Sequence, residues 1–140
     1  PLNVFARSAH RSENPPDGSD VPDTGVAVVE FGSGAIAQVS SACLLPTKYR
    51  VELSLMTEIG VAELGASELR IIEPSKVTTF TDLGRPYLEE ARGFIRAVQV
   101  GDASNVLSPF ADAVKTLELT LAAVESAETN SVVELEESLR

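Results

Sequence analysis

Apolar and polar residues alternate with a period of two over most of the first eighty positions, and the period lengthens to that of a helix only at Pro86. Leu2, Val4 and Ala6 alternate with Asn3, Phe5 and Arg7, which predicts a first strand. Residues 9–24, AHRSENPPDGSDVPDT, hold three prolines and a glycine and read as a loop. Val26 to Phe31 and Ile36 to Cys43 form two strands around Gly32-Ser33-Gly34. From Tyr49 to Met56 the alternation is clean, with Val51, Leu53 and Leu55 on one face and Arg50, Glu52 and Ser54 on the other. One dry and one wet face is the pattern of an antiparallel sheet. Glu58-Ile59-Gly60 turns the chain into Val61 to Leu64, and Leu69 to Ile72 and Val77 to Phe80 follow as short strands around Pro74-Ser75. Strands in succession with short turns predict an antiparallel meander.

Leu88, Ala91, Ile95 and Val98 then recur at helical spacing opposite Glu89, Glu90, Arg92 and Gln99. Pro86 suits a first helical turn and Gly101 a stop. Ser108-Pro109 predicts the start of a second helix, with Ser as cap and Pro at the first helical position. Its apolar stripe is Phe110, Ala113, Val114, Leu117, Leu121 and Val124, and the helix runs to about Thr129. Ser131 to Leu135 closes as a strand, before a charged tail. Strands followed by helices give an α+β fold: an open, mostly antiparallel β-sheet with two main helices packed on one face. Its other face must meet a partner, a second domain or water.

The glycine pair in "VVEFGSGAIAQVSSACL" raises the question of a phosphate-cradling loop. Dinucleotide loops need a preceding strand, a following helix and G-x-G-x-x-G spacing. Here Ala35-Ile36-Ala37 follows Gly34, no third glycine is placed correctly, and the next segment alternates like a strand. The hairpin turn is the better reading.

Composition narrows the function classes. With 140 residues, 44% apolar and 23% charged, the chain suits one ordinary globular domain, 1–140. A formal net charge of −10 sets the surface against nucleic acid and anionic membranes, whose phosphates it repels. No apolar run is long enough to span a bilayer, and the N-terminus lacks the layout of a signal peptide. The single cysteine, Cys43, permits no internal disulfide and fits a reducing cytoplasm.

Catalytic constellations are thin. The one histidine, His10, borders the Pro-rich loop and is read as exposed. One His and one Cys some thirty residues apart predict no metal site. Cys43 reads as a small core residue. The acidic residues fall on wet faces of the predicted elements, so no catalytic residue is assigned. Tyr49 and Tyr87 are the only tyrosines, and both begin elements, where an amphipathic ring can line a pocket or bridge core and solvent.

Four segments, in order, resemble the C-terminal domain of the Gfo/Idh/MocA oxidoreductases. "GVAVVEFGSGAIAQVSSA" is similar to the hairpin opening that family's C-terminal sheet, and "KYRVELSLMTEIGVAEL" to its next strand, turn and strand. "YLEEARGFIRAVQVGD" matches a Tyr-x-x-Glu-x-x-x-Phe-Ile helix through Tyr87, Glu90, Phe94 and Ile95. "SPFADAVKTLELTLAAVESAET" resembles the following long helix and its Ala-x-x-x-Ser ending at Ala122 and Ser126. The resemblance implies the substrate-binding and oligomerisation half of an NAD(P)-dependent dehydrogenase acting on a sugar, inositol or related polyol. On that reading NAD or NADP and the family's lysine belong to an N-terminal Rossmann domain outside this chain, and the Asp and His that assist proton transfer sit on a helix just upstream of it. An opening without Met, directly in a strand, is read as part of a longer protein. The resemblance places Tyr49 on the substrate side, matches Tyr87 to the tyrosine opening the helix as a second substrate-binding candidate, and implies a homo-oligomer through the open sheet face. The chain departs from inositol-preferring relatives at Tyr49-Arg50 and Asp82-Leu83, and carries Thr57 where a glycine is common in the family. The alternative is a stand-alone, non-catalytic binding or assembly module of the same fold.

Overall fold

The computed structural model describes residues 1–13, 21–43, 45–47, 51–81 and 84–135. Its elements are β1 (Asn3–Ala9), β2 (Thr24–Glu30), β3 (Ile36–Ala42), β4 (Leu53–Thr57), β5 (Gly60–Leu64), β6 (Leu69–Glu73), β7 (Lys76–Phe80), α1 (Pro86–Val100), α2 (Phe110–Thr129) and β8 (Val133–Glu134). The fold is α+β, with every strand pair antiparallel. The strands divide between two four-stranded sheets, ordered β3-β2-β1-β8 and β4-β5-β6-β7. Two compact units contain them, one built from Pro1–Pro46 and Ser108–Arg140, the other from Thr47–Leu107.

In the first unit, register decides which side chains meet α2. Val4 faces Val29, and Val29 faces Ala37; Ala6 faces Ala27. Side chains alternate across a strand, so these residues share one face, and Val4, Val29, Ala122 and Leu135 form the buried cluster beneath it. Complete burial of a valine such as Val4 contributes about 1.5–3 kcal/mol over leaving it in water. The opposite face carries Phe5, Val26, Val28 and Ile36, all exposed.

The stripe expected to seat α2 is corrected. Phe110, Leu117, Leu121 and Val124 are 85%, 56%, 58% and 51% exposed. The sheet is met instead by Leu119, Ala122, Ala123 and Ser126. The helix is apolar on two sides, and the side that carries Ala122, Ala123 and Ser126 is the one against the sheet. The cap also moves by one residue. Pro109 occupies the N-cap with extended backbone, φ −68° and ψ 160°. The Ser108 hydroxyl donates to the Asp112 carboxylate at 3.3 Å rather than capping an amide.

Gly32-Ser33-Gly34 is a hairpin turn. The Phe31 amide donates to the Ala35 carbonyl at 2.9 Å, and the Gly34 amide to the Phe31 carbonyl at 2.8 Å. Gly34 has φ +86°, a conformation that side chains disfavour. Cys43 is exposed rather than a core residue, because β3 ends at Ala42, one position before it.

In the second unit, β4 begins only at Leu53, and Val51 is exposed. Leu53 and Leu55, expected on a dry face, are 53% and 56% exposed. Across β5 and β6, Glu63 stands directly opposite Arg70 and accepts from its guanidinium at 2.7 Å. Thr57 and Gly60 close the β4–β5 turn, with the Thr57 hydroxyl donating to the Gly60 carbonyl at 3.0 Å. α1 starts with Pro86 in its first turn and stops at Gly101, φ +70°, whose amide bonds to the Ala97 carbonyl.

Candidate functional site

Of the two tyrosines singled out by sequence, Tyr49 lies outside the described residues. Tyr87 occupies the first turn of α1 and is 86% exposed. At 3.6 residues per turn, Tyr87, Ala91, Phe94 and Val98 stack along one side of the helix, with Leu88 and Ile95 on its flank. α1 buries none of its residues. Its other side is polar, with the Arg92 guanidinium donating to the Glu89 carboxylate at 2.7 Å. The arrangement offers an apolar wall with one phenol at its end. Such a wall can contact a ligand.

His10 is exposed, immediately beyond β1. Among the described residues, no cluster of three His, Cys, Asp or Glu side chains could hold a metal ion. None of their helices is long and apolar enough to cross a membrane.

The Gly32-Ser33-Gly34 turn does not form a phosphate-binding loop. Phosphate binding at a glycine loop depends on the helix N-terminus that follows it, and the Gly32-Ser33-Gly34 turn returns the chain to the antiparallel strand β3.

Sequence reasoning missed the polar ties around the first sheet. Asp23 is half-buried just before β2, and its carboxylate accepts the Arg11 amide at 2.9 Å and the Ser12 amide at 2.7 Å. Its own amide donates to the Ala9 carbonyl at 3.2 Å, and its carbonyl accepts the Cys43 amide at 2.7 Å. One residue thus binds the end of β1 and the segment after β3 to the start of β2. Desolvation pushes the Asp23 pKa upward, but the Ser12 and Arg11 amides and the charge of His10 outweigh it, and the carboxyl lies below its ordinary range. Asp102, just past α1, is likewise held below the usual carboxylate range by the Ser104 amide and hydroxyl. Near the same end of β1, Arg7 donates through Nη1 to Asn130 Oδ1. Asn130 follows α2 in the left-handed conformation, φ 57°. An Asp after a Pro-rich loop and an Asn after a long helix were the available signals. Both residues tie separate elements of the fold together.

No protein-family model matches the chain, and no curated protein matches it either. Solved structures do. An oxidoreductase domain protein from Kribbella flavida superposes with a TM-score of 0.81 at 14% identity, over 97% of this chain and 44% of that one. Levoglucosan dehydrogenase in complex with NADH and levoglucosan gives a TM-score of 0.76 at 21% identity, over 97% and 45%. The WlbA dehydrogenase from Bordetella pertussis, in complex with NADH and UDP-GlcNAcA, gives 0.67 at 17% identity, over 96% and 39%.

The fold is that of part of the Gfo/Idh/MocA-type oxidoreductases.

This chain spans less than half the length of each of the three proteins.

Proposed function

We propose that this chain is the C-terminal, substrate-binding and oligomerising half of an NAD(P)-dependent oxidoreductase acting on a sugar, inositol or related polyol. The observation that carries the reading is the extent of the match. Nearly all of this chain superposes on less than half of levoglucosan dehydrogenase, a protein solved with NADH and levoglucosan. On this proposal, the rest of the protein is a Rossmann domain that holds NAD or NADP and the groups that move hydride and proton. This chain by itself would bind no cofactor and turn over no substrate. Its contribution would be a wall of the substrate pocket, with Tyr49 and Tyr87 on the substrate side. The exposed face of Phe5, Val26, Val28 and Ile36 would pack on a second copy. A reducing cytoplasm suits the single cysteine, Cys43.

The test is the mass of the native gene product, read in its own cells with an antibody raised against this chain. A band at about 35–40 kDa, the size of two ordinary domains, is the expected result. A band near 14.8 kDa would overturn the enzyme reading and leave a stand-alone binding or assembly module.

A further inference from the structure

We draw no further inference here: the strongest candidate, the surface patch of Leu53, Leu55, Leu64 and Phe80 on one face of the β4–β7 sheet, is half exposed and nothing in the structure shows what covers it.

Discussion

The Ser126 hydroxyl in α2 holds the backbone of β1 at Ala6: its Oγ accepts the Ala6 amide at 2.9 Å and donates to the Ser131 carbonyl at 2.6 Å. β8 pairs with β1 only at Asn3 and Val4, so at Ala6 a helix side chain takes the place of a missing strand. Ser126 is fully buried. Its replacement by Ala leaves a buried amide and a carbonyl without that partner, at a cost of about 1–3 kcal/mol. Urea unfolding of the Ser126→Ala protein checks this, and an unchanged midpoint would mean that the tie is dispensable.

Gly60 and Gly34 both have positive φ, but only Gly60 is crowded. A Cβ built at Gly60 lies 2.4 Å from the backbone carbonyl oxygen of Ile72, whereas one at Gly34 meets nothing within 4 Å. Gly34→Ala should therefore cost only the conformational strain, about 1–2 kcal/mol. Gly60→Ala must also shift the β5–β6 pairing and should cost more. Comparing the two thermal midpoints tests the ranking; equal losses would refute it.

Asp23 sets a pH dependence with a defined sign. Its pKa is lower folded than unfolded. Its stabilising effect is therefore present above the unfolded carboxylate pKa and is lost as pH falls through the folded one. The gap in urea midpoint between the natural protein and Asp23→Asn should be widest near neutral pH and narrow under acid. A gap independent of pH would remove the carboxylate from the account.

If the face of Phe5 and Val28 meets a second copy, a charge placed in it should separate the copies. The residues are 38% and 43% exposed, so Val28→Glu costs the monomer little burial while opposing association. Light scattering should show a dimer or larger for the natural chain and a smaller mass for the variant. A natural chain that is monomeric at high concentration counts against the interface.

Tyr87→Phe, in the longer protein proposed above, should raise KM about three- to tenfold, the worth of one neutral hydrogen bond. With Tyr87 this exposed, stability should stay within about 0.5 kcal/mol. A KM unchanged in both Tyr87→Phe and Tyr49→Phe would remove the tyrosines from the substrate side.

Element type was legible because it depends on local period and on a few backbone requirements. The alternation through Val4 and Ala6, the glycines of the β2–β3 turn, and the Pro86 and Gly101 limits of α1 all act within a few residues. Each prediction from them matches an observed element. The dinucleotide motif could be rejected on the same local ground. What needed three dimensions was the choice among equivalent surfaces. α2 offers an apolar side of large residues and a side of small ones, and period alone favours the large. Close approach to β1, with Ser126 bonded to Ala6, selects the small side and leaves Leu117 and Leu121 in water. The pairing of β8 with β1 joins residues distant in sequence, as do the ties of Ser126 to Ala6 and of Asn130 to Arg7. Local sequence determined where this chain is strand, turn or helix; only the tertiary structure decided which faces meet, because burial is settled by what the rest of the chain brings against each face.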